Sequence, residues 1–352
     1  MTDEPALEKI FRNGIGAQYW FCAPSGPSLV ACAGYADRRA HVAVTPSTTF
    51  HCFSTTKPIT ALAVLQLVDK GRLLLDAPVA AYLPELPYRN GATVRQVLSH
   101  QAGLPNPSPL SWVHAISDRS SFDPRAFFER VVREHPGCSP PGLRARYSNV
   151  GYLLLGRLIE IVSGRTYEQY VRDEVLNVIA RDATSPEGFL GFEVPSRGHA
   201  VGYTRRCSLL GLLTPFFPDP AHLRSREGAW IRYRPFDLNG PAYGGLKGNV
   251  LGWAPLLTAI ASRDARLLSR EGFEAFFAAQ FLTSGRPTGH ALSWFTGRRG
   301  PHSYLGHAGG GPGYGAEIRI YPTLRTASAL LTNTTIVSDP RHLDKLDGSW
   351  LP

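Results

Sequence analysis

Cysteine, lysine and long apolar runs are all scarce in this chain, and each scarcity closes off a class of function. Five cysteines in 352 residues, an odd number without a Cys-x-x-Cys pair, do not make a disulfide framework and fit reduced thiols in a cytoplasm. With no cysteine cluster and no His-Glu-x-x-His, the sequence offers no built-in metal site, and no cofactor is expected. No Gly-x-Ser-x-Gly occurs, which argues against an α/β-hydrolase nucleophile elbow. The densest apolar segment, Leu209 to Phe217, is interrupted by Gly211, Thr214 and Pro215 and is too short to cross a bilayer. The opening Met1-Thr2-Asp3-Glu4-Pro5 lacks the basic start and unbroken apolar stretch of a signal peptide. A cytoplasmic protein without membrane contact is expected.

Only five of the 37 basic residues are lysine, so 37 − 5 leaves 32 arginines in a chain of net charge +9. Clusters such as Arg38-Arg39, Arg205-Arg206 and Arg298-Arg299 are scattered through loops rather than gathered on one stripe. That distribution reads as a solvated surface and not as a nucleic-acid binder; an anionic substrate or partner stays open. At 43% hydrophobic, the chain has enough apolar residues for a large core.

One of the rare lysines stands in Ser54-Thr55-Thr56-Lys57, ahead of the apolar run Ile59 to Val68 and the stop Lys70-Gly71. A serine three residues before a lysine on a helix puts both on one face. An amine in hydrogen-bond reach can take the hydroxyl proton once desolvation has made it neutral. Pro58 belongs in a first turn, where its missing N–H costs nothing, and so places the helix start near Ser54. With 25 serines and five lysines, chance alone gives roughly 0.35 such pairs, so the tetrapeptide needs partners.

Two further segments supply them. If Tyr147-Ser148-Asn149 is extended, Tyr147 and Asn149 offer a phenol and an amide to one cavity. As a turn, the same tripeptide caps the helical run Val150–Ser163. His307-Ala308-Gly309-Gly310-Gly311 follows the strand-like Ser303-Tyr304-Leu305. Its glycines let a ligand approach the backbone N–H groups closely, or form a plain hairpin in which His307 is a core histidine. Gly311-Pro312-Gly313-Tyr314-Gly315-Ala316 is not a dinucleotide fingerprint, because proline removes an N–H and a strand follows where that motif needs a helix.

The order Ser-x-x-Lys, Tyr-x-Asn, His-x-Gly resembles the serine β-lactamase and penicillin-binding-protein superfamily, in particular its class C β-lactamase-like branch. The likeness extends through Thr93 to Pro105, Tyr147 to Gly156 and Gly309 to Gly315. It implies Ser54 as nucleophile, Lys57 and Tyr147 as the proton-handling pair, and Asn149 as an orienting amide. It also implies an oxyanion hole from the N–H groups of Ser54 and Gly310, with His307 and Gly309 on the substrate-binding strand. His307 departs from the lysine that the branch's β-lactamases carry there, and Asn106-Pro107-Ser108-Pro109 lacks their glutamine. Both departures argue against efficient β-lactam hydrolysis and lean toward esterase, amidase or acyl-transfer activity, with an esterase-, amidase- or peptidase-like hydrolase of a small-molecule ester or amide as the first reading. An acyltransferase with a bound acyl acceptor, or a non-catalytic binding module, are the alternatives. Trp112, Val113, Phe216, Phe217 and Trp253 are available to line an acyl pocket or to pack a core.

The expected fold is α/β (α+β): an antiparallel sheet flanked by helices, with a mostly helical second lobe, as the resemblance also implies. Residues 1–75 and 242–352 would form the sheet lobe and 76–241 the helical lobe inserted between them. Strands are expected near Gln18–Cys22, Ser28–Gly34, His290–Phe295, Ser303–His307, Ala316–Tyr321 and Ala327–Thr332. The glycine-, proline- and arginine-dense stretch from Arg181 to Pro241 is expected to be loop-rich.

Overall fold

The computed structural model describes residues 4–11, 14–23, 28–88, 90–108, 112–182, 185–195, 197–214, 223–335 and 342–352. Its centre is a six-stranded sheet built from β1 (Ala17–Phe21), β2 (Leu29–Ala33), β3 (Phe295–Arg299), β4 (His302–Gly311), β5 (Tyr314–Tyr321) and β6 (Thr326–Thr332). The order is β3-β4-β5-β6-β1-β2, antiparallel throughout, with Tyr19 opposite Leu330 and Gly309 opposite Ala316. Chain start and chain end therefore share one sheet.

Side-chain alternation explains why both faces are covered. Trp20, Ile318, Ile320, Ala329 and Leu331 join the main core, where the helix Val250–Ser262 packs. Tyr19, Phe21, Ala31 and Leu330 point the other way, to Leu7, Leu343 and Leu346 of two terminal helices. The period of two along each strand feeds two apolar layers.

The helix Lys57–Asp69 is buried from Lys57 through Leu67. A helix without a polar face belongs inside a protein, and its neighbours are the helices Asn149–Ser163, Arg270–Phe277 and Pro241–Gly244. One continuous apolar cluster links these helices to the sheet. Among the described residues, no helix is long and apolar enough to cross a membrane.

Two expectations about secondary structure need correction. Arg181 to Pro241 is not simply loop: Gly202–Arg205, Trp230–Tyr233 and Arg224–Glu227 pair as a three-stranded sheet. Its strands are four residues long, too short for an apolar period to stand out, although Ile231 and Tyr233 are buried between half-buried neighbours. The strand near His290–Phe295 begins only at Phe295. Ala291 to Trp294 instead form a buried turn in which Ser293 adopts φ +71°. Residues 24–27, between the expected strands Gln18–Cys22 and Ser28–Gly34, lie outside the described residues.

Candidate active site

Ser54 sits on a tight turn. Phe53, just before it, has φ +47°, a left-handed backbone that costs a bulky residue energy and recurs where geometry is imposed. A 3-10 turn over Phe53–Thr56 then runs straight into the Lys57 helix. Thr55 and Thr56 donate their hydroxyls to the carbonyls of Cys52 (2.8 Å) and Phe53 (2.7 Å), which holds the turn. Ser54 alone in this segment keeps its hydroxyl for other partners. Pro58 stands in the first turn of the helix, where its missing N–H leaves nothing unpaired.

The two readings of Tyr147-Ser148-Asn149 turn out to be compatible. Ser148 is extended (φ −143°, ψ 118°) and caps the helix Asn149–Ser163, its hydroxyl accepting from the Gly151 N–H. That leaves Tyr147 ahead of the cap and Asn149 in the first turn, both reaching the same place. The Tyr147 hydroxyl donates to Ser54 Oγ at 2.8 Å. Lys57 Nζ lies 3.2 Å from Ser54 Oγ, 2.9 Å from Asn149 Oδ1 and 2.7 Å from the Tyr243 carbonyl oxygen.

Electrostatics distinguish the chain's two buried lysines. Lys247 is 2% exposed but pairs with Asp237 at 2.7 Å. Lys57 is fully buried and, among the described residues, has only neutral partners and the rings of Tyr147, Tyr152 and Tyr243 around it. Burial alone therefore drives its pKa well below the ordinary lysine range. Burial pushes the Tyr147 phenol in the opposite sense, far above its usual value, so it keeps its proton. Burial thus favours the uncharged form of both the amine and the phenol.

His307, Gly309 and Gly310 come in on strand β4. An added Cβ at Gly309 would stand 2.2 Å from the Cys52 carbonyl oxygen and 3.0 Å from the Ser54 nitrogen. Only glycine lets this strand lie against the nucleophile turn. Gly310, next along, is exposed. His307 is 2% exposed, and its Nδ1–H donates to the Ala308 carbonyl at 2.8 Å, which leaves Nε2 as a buried acceptor without a hydrogen-bond partner among the described residues. Burial holds its pKa down to about 3, so this ring is uncharged at neutral pH.

Several neighbours of the site escaped the sequence reading. The Tyr243 carbonyl that holds Lys57 is a backbone group and leaves no residue-type signal. His100 packs beside Tyr147 with its ring tilted by 35° (centroids 4.5 Å apart) and accepts from the Ser148 N–H at 3.3 Å. It stands in the Thr93 to Pro105 segment that carried the resemblance, so the position was visible though the role was not. Asn106, noted only as the missing glutamine, accepts from the Asn149 N–H at 2.9 Å. Phe295 packs against His307 (5.1 Å) and His290 (4.7 Å).

The expected acyl-pocket residues fare differently. Trp253 is fully buried in the core and donates its Nε1–H to Cys52 Sγ at 3.3 Å. Trp112 and Val113 are buried as well, Trp112 packing edge-on against Tyr243 and Phe127. Phe216 and Phe217 lie outside the described residues.

Comparison with known proteins adds a family match and several likenesses. The family model described as Beta-lactamase matches residues 12–347. A protein named unguisins hydrolase ungD' from Aspergillus campestris is 27% identical over 318 residues, 84% of this chain and 54% of that one. Penicillin-binding protein 4 of Amycolatopsis lactamdurans is 27% identical over 311 residues, 86% of this chain and 76% of its own. The chain thus spans about half the length of the first relative. Among solved structures, the octameric penicillin-binding protein homologue from Pyrococcus abyssi has the same fold. It aligns with TM-score 0.74 and 24% identity over 97% of this chain and 74% of that one.

Proposed function

This chain belongs to the Beta-lactamase family of serine hydrolases, and we propose that it forms an acyl-enzyme on Ser54 from an ester or amide. The observation that carries the proposal is the position of the Ser54 hydroxyl, 2.8 Å from a protonated phenol and 3.2 Å from a buried amine. An ammonium would donate to all three of its partners. A neutral amine gives its two N–H bonds to the Asn149 and Tyr243 carbonyls and turns its lone pair to Ser54. Burial without a carboxylate favours the neutral form.

In this reading the Ser54 proton passes to Lys57 as Oγ attacks the substrate carbonyl, forming the C–O bond. The oxyanion sits between the N–H groups of Ser54 and Gly310. Tyr147, still protonated, relays a proton to the departing alcohol or amine, and Lys57 then replenishes it. Water, activated by the returned amine, releases the acid and frees Ser54.

The neutral His307 supports a substrate that needs no carboxylate anchor. A fixed cation at that point would add a charge-assisted hydrogen bond, typically about 1.5–3 kcal/mol. The likeness to a relative named as a hydrolase of unguisins favours hydrolysis over transfer. Intact-mass spectrometry after incubation with aryl esters, D-amino-acid amides and β-lactams tests the proposal. An acyl adduct is expected on the parent and none on Ser54→Ala. Equal labelling of both proteins by a fluorophosphonate would remove Ser54 from the mechanism.

A further inference from the structure

A cavity of about 470 Å³ opens on the far side of the Pro241–Gly244 turn, and its lining includes none of Ser54, Lys57 and Tyr147. That volume falls in the range of small-molecule sites. The same turn serves both places. Its Tyr243 and Ala242 carbonyls accept from Lys57 and from Thr60 (2.7 Å each), while Pro241 and Ala242 form the cavity wall.

The cavity is apolar along Phe122, Phe128 and Phe192 and charged at one end. There Asp237 is shared by two cations, Lys247 at 2.7 Å and Arg119 at 2.6 Å, so the cluster carries one positive charge in excess. Lys247 is committed, since it also donates to the Phe192 carbonyl at 2.6 Å. Arg119 is the accessible cation, with its side chain 41% exposed. The carboxylate of Glu168, half-buried in the same wall, makes no hydrogen bond or ion pair among the described residues. It lies within electrostatic reach of Lys247, Arg119, Asp237 and Arg172, and burial raises its pKa. The remaining charged side chains of the wall are satisfied: Arg157 pairs with Glu160, Arg125 with Glu129, Glu193 with Arg172, and Asp123 caps a helix.

One surplus cation, one unpaired carboxyl and an aromatic wall make a specific demand. We propose that this cavity binds a free amino acid with an apolar side chain as its zwitterion. The ammonium group sits on Glu168, the carboxylate on Arg119 and the side chain against Phe122, Phe128 and Phe192. An amine alone would face the surplus charge of Arg119, and a carboxylate alone would face Glu168. A zwitterion answers both.

Calorimetric titration of the intact protein with phenylalanine and leucine, both enantiomers of each, tests the site. Saturable binding is expected, weakened about tenfold or more by Glu168→Gln and unchanged once Ser54 has been blocked with a fluorophosphonate. Phenethylamine and 3-phenylpropionate, each carrying one charge, should bind about tenfold or more weakly than phenylalanine to the parent itself. That comparison does not depend on any variant folding. The proposal is overturned by an absence of binding up to about 10 mM, or by a single-charge analogue matching phenylalanine. Loss of binding on blocking Ser54 together with retention in Glu168→Gln would put the amino acid at Ser54 and also overturn it.

Discussion

If Lys57 works as a neutral amine because no carboxylate stands beside it, then supplying one should switch it off in a pH-dependent way. Asn149→Asp does this with minimal change of shape, since Asn149 Oδ1 already lies 2.9 Å from Lys57 Nζ. At that separation and an effective dielectric of about 20, a charge pair is worth about 6 kcal/mol, or about four pKa units on the amine. Burying the new carboxylate takes back part of this, so a rise of about two to three units is the expected result. The parent's activity should fall on acidification as Lys57 takes a proton. In Asn149→Asp that acid limb should move upward by the same two to three units, leaving on the order of 1% of the amine neutral two units below the new pKa. The assay is kcat against pH for one aryl ester, measured on both proteins, with unfolding followed in parallel. Recovery of turnover at alkaline pH is the telling result, because structural damage would lower activity at every pH. A variant with an unshifted acid limb would refute the assignment of Lys57 as the group that must be neutral.

Three other outcomes follow from the geometry. Gly309→Ala forces a methyl to within 2.2 Å of the Cys52 carbonyl; stability should drop by about 1–3 kcal/mol and kcat by about 10²–10³, with KM little changed, in denaturant titrations and steady-state kinetics. His307→Lys should raise the kcat/KM ratio of a carboxylate-bearing ester over its neutral analogue by about tenfold to a hundredfold, and an unchanged ratio would detach this position from specificity. Lys57→Met should flatten the pH dependence of stability. The folded pKa of Lys57 lies below its unfolded value, so its cost to the native state is full below the folded pKa and is relieved as pH rises to about 10.4. Between those limits the parent should gain about 1.4 kcal/mol per pH unit from this group, and the variant, compared by urea unfolding at several pH values, should lack that slope.

The site was more legible in the sequence than the walls around it, for a physical reason. Ser54, Lys57, Tyr147, Asn149, His307 and Gly309 are chosen by chemistry or by close backbone approach, so residue type carries the information. The structure brings all of them together. Tyr243 is a different case, because its contribution to Lys57 is a carbonyl that any residue could provide. His100 and Asn106 support Ser148 and Asn149 through single hydrogen bonds, and a lone histidine or asparagine in a loop gives no pattern to find. The central strands were visible because β5 and β6 alternate between two apolar layers. The small sheet over 202–233 was not, because four-residue strands rich in arginine show no such period. Trp253 shows the opposite failure: a large aromatic residue signals burial, but not whether it faces a substrate or the Cys52 thiol.

The contrast between Lys57 and Lys247 carries the argument furthest. Both amines are buried, both reach a carbonyl of the 243–245 segment, and both lie next to aromatic rings or neutral histidines. Burial depresses both pKa values, yet Asp237 opposes the effect on Lys247 and, among the described residues, no carboxylate opposes it on Lys57. Removing a charge from water without a counter-charge is unfavourable, so burial favours the amine form of Lys57 at some cost in stability. A purely structural lysine gains nothing from that state. In the proposed acyl-enzyme mechanism, a lysine 3.2 Å from a serine hydroxyl would serve as a base at neutral pH. The missing carboxylate is therefore as much a part of the site as the groups that are present, and its replacement through Asn149→Asp is the most direct way to see it.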